Sequence, residues 1–193
     1  AKFIELQKQM WWYHTNLKAT HSYQSSAWTW PMMLRPVWFW VDYKDKTIAN
    51  IYNLGNPVLW WTGFMLLPLA VYKIIKDFLA KNTECCKLGL ILVCYFAFWL
   101  PWLFSPRIMY LHHYLPAIPF LCMLIAYCLN YLVIKKSSFR FSVLGFQFSI
   151  FQLLITNYLL LIVLSFLFFY PIYAGLPIPK NLLPYFFWLP SWK

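Results

Sequence analysis

Four long runs of apolar residues dominate the pattern along the chain. They cover about Pro57–Ile75, Leu88–Phe104, Ile108–Ile134 and Phe141–Tyr170. A helix needs about 20 residues to cross a hydrocarbon core of about 30 Å, so these lengths predict spanning helices. The second run is short for a span, whereas the last two are long enough to cross with tilt. The pattern predicts an all-α integral membrane protein with four transmembrane helices over residues 57–170.

The residues on either side of these runs have a different pattern. Phe3, Leu6, Met10, Tyr13 and Leu17 recur at helical spacing, with polar side chains elsewhere around the wheel. This spacing predicts an amphipathic helix that lies on a membrane surface or against another domain. An aromatic-rich loop follows it up to residue 56, and residues 171–193 form a tail. Because the first residues already resemble the interior of a protein, we expect the chain to be the carboxy-terminal part of a longer one.

Basic residues in the short connections predict the orientation in the membrane. The first connection holds Lys73, Lys76, Lys81 and Lys87, and the third holds Lys135, Lys136 and Arg140. The second connection holds only Arg107. We therefore expect the first and third connections to be cytoplasmic. The segment 1–56, Arg107 and the tail 171–193 are then extracytoplasmic.

Composition excludes an ordinary soluble domain, since 62% of the residues are hydrophobic and only 11% are charged. The net charge of +11 is accounted for by membrane anchoring and anionic headgroups. Nothing in the chain resembles a nucleic-acid-binding module. No cysteine or histidine spacing predicts a metal site. His112 and His113 are adjacent, so on a helix they point about 100° apart and cannot share one ion.

The segment SPRIMYLHHYLPAIPF at residues 105–120 places one arginine, two histidines and two tyrosines at a predicted membrane boundary. On a helical wheel Arg107, Tyr110, His113 and Tyr114 fall within one arc, whereas His112 points away. Arginine is well shaped to hold a phosphate through two parallel hydrogen bonds, so we expect these four residues to bind a lipid phosphate. The alternative is an interfacial belt in which Arg107 is a snorkelling anchor.

A second cluster, HSYQSSAWTWPMMLRPVWFW at residues 21–40, precedes the first apolar run. Its tryptophans are typical of the aromatic belt at a membrane interface. The alternative is a groove for a sugar or peptide, in which aromatic faces stack and polar groups supply hydrogen bonds. The candidate groove residues are Trp28, Trp30, Arg35 and Asn56.

The order of three segments resembles the carboxy-terminal four-span region of the protein O-mannosyltransferases, in the glycosyltransferase C superfamily. The segments are HSYQSSAWTWPMMLRP, GNPVLWWTG and SPRIMYLHHYLPAIPF, and the resemblance extends to the tail that begins YPIYAGLPIP at Tyr170. The WTWP and LRP details are more similar to the bacterial branch. The resemblance favours a bacterial plasma membrane, or the endoplasmic reticulum if the source is eukaryotic.

The resemblance implies a glycosyltransferase that moves mannose from a polyprenyl or dolichyl phosphate to Ser or Thr hydroxyls of exported proteins. It implies inversion at the anomeric carbon and partners that include membrane lipids, the lipid-linked mannose donor, the acceptor polypeptide and an amino-terminal half. In that family the catalytic acidic residue lies in the amino-terminal half, so we expect this chain alone to be inactive. No cofactor is firmly implied beyond the donor lipid.

Two other classes of protein remain open on sequence grounds. One is a related lipid-linked transferase that moves another sugar or uses another acceptor. The other is a non-catalytic membrane scaffold or a transporter fragment. A transporter favours broken helices with polar groups near the membrane midplane. Here the polar cluster lies near one surface, which favours an enzyme acting on a lipid headgroup.

The predicted orientation can be tested by cysteine labelling. Cysteines placed near Lys81 and Ser137 should react with a membrane-impermeant reagent only from the cytoplasmic side, because both positions lie in the lysine-rich connections. Labelling of either position from outside would contradict the topology.

Overall fold

The computed structural model of the chain describes residues 2–16, 19–136, 140–143 and 146–193. It opens with helix α1, Lys2–Asn16, whose side chains are all exposed. The predicted amphipathic helix is therefore present, and its contact with a membrane or another domain stays a prediction. Leu17, assigned to its apolar face, and Ser137, chosen for labelling, lie outside the described residues.

Four further helices form the membrane region. They are α2, Pro57–Leu79; α3, Glu84–Trp99, continued by a 3₁₀ turn to Phe104; α4, Ile118–Lys136, preceded by the 3₁₀ helix Leu111–Ala117; and α5, Ile150–Ala174. Within the described residues, four helical segments are long and apolar enough to cross a membrane. This result confirms the predicted helical membrane fold with four spans, although the chain is mostly helical and not all-α as predicted.

Two spans begin later than the sequence predicted. The fourth helix begins at Ile150, because an antiparallel pair of strands, β3, Arg140–Val143, and β4, Phe146–Ser149, precedes it. The sequences RFSV and FQFS alternate apolar and polar residues, which is the period of a strand. The third span begins at Leu111 instead of Ile108, because Tyr110 has an extended backbone with φ −141° and ψ 159°.

An antiparallel sheet covers the bundle where the sequence analysis predicted only an aromatic loop. Its strands are β1, Val37–Tyr43; β2, Thr47–Asn53; and β5, Ile178–Pro179, in the order β1-β2-β5. The run of aromatic and β-branched residues in β1 is typical of a strand. Because Ile178 pairs with Ile48, the tail is tied to the hairpin and does not extend freely from α5.

A 3₁₀ helix at Ala27–Met32 joins this sheet layer to the membrane helices. Buried backbone carbonyls need hydrogen-bond donors, and here the indole N–H groups of four tryptophans supply them. Trp60 donates to Trp30 O at 2.9 Å, Trp61 to Met32 O at 3.1 Å, Trp99 to Ala27 O at 2.8 Å and Trp192 to Met33 O at 2.7 Å. We call these four residues the indole set. They connect α2, α3 and the tail to the one segment that precedes the sheet.

Helices α2 and α4 approach closely at Gly63. A Cβ atom at this position would lie 2.6 and 2.8 Å from the two methyl carbons of Leu121, whose side chain is fully buried. Such distances are well inside van der Waals contact, so glycine is what allows the two helices to pack here. Gly89 on α3 offers a contrast, because open space surrounds the equivalent position.

We therefore expect Gly63→Ala and Gly89→Ala to have opposite effects on stability. Gly63→Ala overpacks the α2–α4 contact, a change that typically costs about 1–3 kcal/mol. Gly89→Ala should be neutral or stabilising, since alanine has the higher helix propensity by about 1 kcal/mol. Melting temperatures of the purified proteins in detergent measure the difference. Equal melting temperatures for the two variants would contradict the close packing.

Candidate functional site

A pocket of about 550 Å³ opens beside Arg107. We call it the outer pocket. It is lined by Ala19, Thr20, Gln24, Ser25, Ser26, Ala27, Trp28, Trp102, Leu103, Ser105, Pro106, Arg107, Ile108 and Met109. The N–H of Ser25 donates to the carbonyl of Met109 at 2.9 Å. This bond joins the two loops that form the walls, one before the sheet and one between α3 and α4.

The guanidinium of Arg107 lies between two imidazoles. Its Nη1 is 2.7 Å from Nδ1 of His14 in α1, and its Nη2 is 2.8 Å from Nε2 of His113. A guanidinium can only donate, so each of these ring nitrogens must be an acceptor and therefore carries no proton. The arginine is thus oriented by two hydrogen bonds that leave its charge uncompensated.

The same constraint fixes the tautomer of His113. Because Nε2 accepts from Arg107, the ring proton lies on Nδ1, which donates to the carbonyl of Tyr110 at 3.0 Å. The backbone N–H of Tyr110 also lies 3.3 Å from Nδ1, but a protonated Nδ1 cannot accept from it. A backbone carbonyl therefore orients His113, and His113 in turn orients Arg107.

Aromatic rings surround His113 on several sides. Trp30 stacks on it at 6.0 Å between ring centroids and 14° between planes, and Trp102 meets it edge-on at 4.8 Å. The guanidinium carbon of Arg107 lies 5.9 Å from the centre of the Trp102 ring. These contacts leave His113 little rotational freedom, so the arginine fork has a defined direction.

The prediction that His112 points away from the cluster was wrong. Its ring stacks on His113 at 4.5 Å and on Tyr110 at 5.5 Å. The predicted arc assumed a continuous helix through residues 107–114, but residues 107–110 are not helical. His112 therefore belongs to the aromatic stack behind Arg107.

Tyr114, predicted to bind the lipid phosphate, is in the protein core. Its side chain is fully buried, and its hydroxyl is 2.6 Å from the hydroxyl of Tyr95 in α3. This position corrects the sequence interpretation, since a ring at this place cannot reach the outer pocket. Tyr110 is half-buried, and its ring meets that of His21 edge-on at 5.4 Å. Its carbonyl accepts a hydrogen bond from His113, which in turn contacts Arg107.

The four residues predicted to line an acceptor groove are not gathered at one surface. Trp28 lines the outer pocket and is 59% exposed, whereas Trp30 has no exposed surface and donates to Ser25 Oγ at 2.9 Å. Arg35 donates to the carbonyl of Ser191 at 2.9 Å, which ties the tail to the outer layer. The prediction that Trp30 lines an open groove was wrong, because the indole set encloses the segment that carries it.

Asn56 also has a structural position. Its side-chain oxygen accepts from the N–H of Leu59 at 3.3 Å and so caps α2, while its amide donates to the carbonyl of Ile162 in α5 at 2.9 Å. Asparagine is a favoured residue at a helix N-cap. Of the predicted groove residues, Trp28 is thus the one with an accessible face beside Arg107.

The chemistry available to the outer pocket is anion binding. Among the described residues, no carboxylate lines it. Asp42 forms an exposed ion pair with Lys44 at 3.7 Å, and Glu5 is exposed on α1. The described part of the chain contains no group of three or more His, Cys, Asp or Glu side chains placed to hold a metal ion. The pocket can therefore hold a negative charge on its described residues.

Sequence reasoning missed two residues of this site. His14 is separated from Arg107 by 93 positions, and no local pattern marks it as different from any histidine near a helix end. Trp102 sits in the run LPWLF before Ser105, where it is indistinguishable from other interfacial tryptophans. Both depend on how the loop between α3 and α4 folds back on α1.

Comparison with known proteins gives a match over almost the whole chain. Residues 1–192 match the family model described as the C-terminal four TMM region of protein-O-mannosyltransferase. The chain is 31% identical over 183 residues to a polyprenol-phosphate-mannose–protein mannosyltransferase of Mycobacterium tuberculosis, covering 90% of this chain and 33% of the relative. It is 29% identical over 206 residues to dolichyl-phosphate-mannose–protein mannosyltransferase 1 of Saccharomyces cerevisiae, covering 100% of this chain and 24% of that protein.

The fold is similar to a solved structure as well. It superposes with a TM-score of 0.81 on a chain of the S. cerevisiae protein O-mannosyltransferase Pmt1-Pmt2 complex bound to the sugar donor. The sequences are 26% identical, and the match covers 100% of this chain and 26% of that chain. This chain thus spans about a third of the mycobacterial relative and about a quarter of the yeast proteins.

Replacing Trp30 or Trp28 by alanine should distinguish a residue that stabilises the fold from one that lies on the pocket surface. Trp30→Ala empties a fully buried site, and such truncations typically cost about 3–5 kcal/mol. Trp28→Ala removes an exposed ring and should leave the melting temperature nearly unchanged. Thermal unfolding of both purified variants checks this expectation. A similar loss of stability in both would contradict the assignment of Trp28 to the pocket surface.

Proposed function

Since this chain belongs to the protein O-mannosyltransferase family, we propose that it forms the carboxy-terminal membrane region of an enzyme that mannosylates proteins. The donor would be a polyprenyl or dolichyl phosphate mannose, and the acceptors Ser or Thr hydroxyls of exported proteins. The match of residues 1–192 to the family model and the names of the relatives support this proposal. The proposal concerns the complete enzyme, of which this chain supplies one region.

We assign the phosphate of the donor to the outer pocket and to Arg107. One observation carries this assignment: Arg107 lies at the pocket with its hydrogen bonds directed to neutral imidazoles. Neither the Lys44–Asp42 nor the Lys73–Asp77 ion pair includes Arg107, and among the described residues its guanidinium has no carboxylate partner. An uncompensated, half-buried guanidinium attracts an anion, and its planar fork matches a phosphate.

The proposed reaction needs such a charge most as the donor bond breaks. The acceptor hydroxyl oxygen attacks the anomeric carbon, the bond from that carbon to the phosphate oxygen breaks, and the electron pair stays on the phosphate. Negative charge on the phosphate therefore grows toward the transition state. A guanidinium oriented toward this oxygen stabilises the transition state more than the ground state, which is what accelerates the step.

The proton of the acceptor hydroxyl needs a base from elsewhere in the enzyme. No carboxylate lines the outer pocket within the described residues. We therefore propose that this chain stabilises the departing phosphate, and we expect the base to come from the amino-terminal half. Attack from the face opposite the phosphate gives inversion at the anomeric carbon.

His14, His113 and Tyr110 have supporting roles in this proposal. His113 is fixed by the Tyr110 carbonyl and by Trp30 and Trp102, so it sets the direction of the guanidinium. His14 lies on the exposed helix α1, which makes it the partner that a phosphate can replace at Nη1. His113 is thus a positioning residue, since it acts on the phosphate through Arg107, whereas His14 holds Nη1 only until the phosphate takes its place.

Trp28 completes the proposed site on the acceptor side. Its exposed ring lies in the same pocket as Arg107 and offers a flat apolar surface to a sugar or a peptide.

We propose that the outer pocket faces the extracytoplasmic side, in keeping with the positions of the lysine-rich connections. A bacterial plasma membrane is the proposed location, and the endoplasmic reticulum is the eukaryotic counterpart.

Substitution of Arg107 tests the proposed function. Arg107→Lys should impair turnover because it keeps the charge but loses the fork, and Arg107→Ala should impair it more. Loss of one such charge-stabilising contact costs on the order of 10²–10³ in rate. His113→Ala should have a smaller effect, and restoration by His113→Gln would show that the lost acceptor was the cause. Turnover of lipid-linked mannose is measured for the complete enzyme at matched protein levels.

Lys46→Gln is the matched control for these variants. It removes a cation from the exposed turn between β1 and β2, outside the lining of the outer pocket, and should leave turnover unchanged. Near-normal turnover by Arg107→Ala would contradict the proposal and leave Arg107 as a snorkelling anchor. An equal loss in Lys46→Gln would show that overall charge, and not the site, determines the rate.

A further inference from the structure

A second pocket, of about 530 Å³, lies between α2, α3 and α4. We call it the inner pocket. Its charged residues are Lys73, Lys76 and Asp77, and apolar side chains such as Leu69 and Leu88 form much of its wall. Lys73 follows Trp60 by thirteen residues on α2, which is about 20 Å along a helix. The inner pocket therefore lies at the far end of the bundle from the outer pocket.

An ion pair forms part of the inner pocket. Lys73 Nζ is 2.6 Å from Asp77 Oδ2 and lies 4.7 Å from the centre of the Tyr131 ring of α4. The two charged side chains are only 22% and 13% exposed. Removing charges from water is costly, and Asp77 together with the aromatic face offsets this cost for Lys73. Polar groups are thus held in place on an otherwise apolar surface.

Lys76 gives the inner pocket an excess of positive charge. It lines the pocket and is exposed, and the ion pairs of the described residues do not include it. Two lysines and one aspartate leave one positive charge at the rim. A phosphodiester carries one negative charge, and lysine binds phosphate as a point charge without a fixed geometry.

Part of the apolar wall is exposed at the surface of the spanning helix α2. Leu69 is 62% exposed and Tyr72 is 65% exposed, both on α2. Tyrosines at this level are typical of the membrane interface, where the ring is apolar and the hydroxyl meets the headgroups. The pocket therefore combines an apolar side with a cationic rim. These two parts are complementary to the acyl chain and the negatively charged phosphate of a phospholipid.

We propose that the inner pocket binds one anionic glycerophospholipid of the adjacent leaflet. Its phosphate would contact Lys76, with Lys73 adding to the positive field, and one acyl chain would cover the wall at Leu69. The volume is within the range of about 300–1,000 Å³ that ligand sites occupy. The proposal does not depend on mannosyl transfer or on Arg107, because no residue of the outer pocket takes part.

Lipid-dependent thermal stability tests this proposal. Melting temperatures of the detergent-purified protein are measured with dioleoyl phosphatidylglycerol and with dioleoyl phosphatidylcholine, which share their acyl chains. Near saturation the anionic lipid should raise the melting temperature by about 5 °C more than the zwitterionic lipid does. Lys76→Gln should lose most of this difference. Lys81→Gln, at an exposed position just after α2 and outside the pocket lining, should keep it.

Three results would overturn the proposal. Equal stabilisation by the two lipids would show that the headgroup charge is not recognised. An equal loss in Lys76→Gln and Lys81→Gln would show attraction to the general surface charge. The same stabilisation by inorganic phosphate alone would show an anion site that does not hold a lipid. Without added lipid both variants should melt close to the unsubstituted protein, since each changes an exposed side chain.

Discussion

The hydrogen bonds from the indole set to residues 27–33 determine how the sheet end of the bundle is arranged. This segment is not part of a sheet or a regular α-helix, yet it is packed between the sheet layer and the membrane helices. Its carbonyls therefore need donors from other elements. Tryptophan suits the position because one end of the side chain fills apolar space and the other donates a single hydrogen bond. Together the four bonds link three parts of the chain, α2, α3 and the tail, to the same segment.

This arrangement explains why the site is rigid on one side and open on the other. Trp30 is enclosed by the indole set and presents one face to His113, which then directs Arg107. On the opposite side of the guanidinium, His14 belongs to α1, all of whose side chains are exposed. The arginine is thus oriented from the core while a ligand can approach from the pocket.

The sequence predicted the elements that depend on composition and period. The four spans follow from apolar length, and α1 from its helical spacing, so both were found without tertiary information. The hairpin of β1 and β2 was missed because the aromatic residues of VWFWVDY were interpreted as an interfacial belt. Strand pairing with Ile178, far along the chain, is a tertiary contact that local pattern does not reveal.

The site was predictable only in part, for the same reason. Arg107 was singled out because an arginine next to histidines and tyrosines at a membrane boundary can hold an anion, and the structure places it at the outer pocket. Tyr114 and His112 were misplaced because a helical wheel was extended over residues 107–110, where the backbone is not helical. Trp30 and Asn56 were assigned to a groove by residue type, whereas their actual partners are backbone groups of other elements. His14 could be recognised only once α1 and the loop between α3 and α4 were placed together.

An experimental structure of the complete enzyme with its lipid-linked mannose bound would show directly where the donor phosphate lies. We expect the phosphate within hydrogen-bond distance of the Arg107 guanidinium in the outer pocket, with His113 still bonded to Nη2. We also expect His14 to have moved away from Nη1. A phosphate bound elsewhere, with Arg107 still held by both imidazoles, would contradict this expectation.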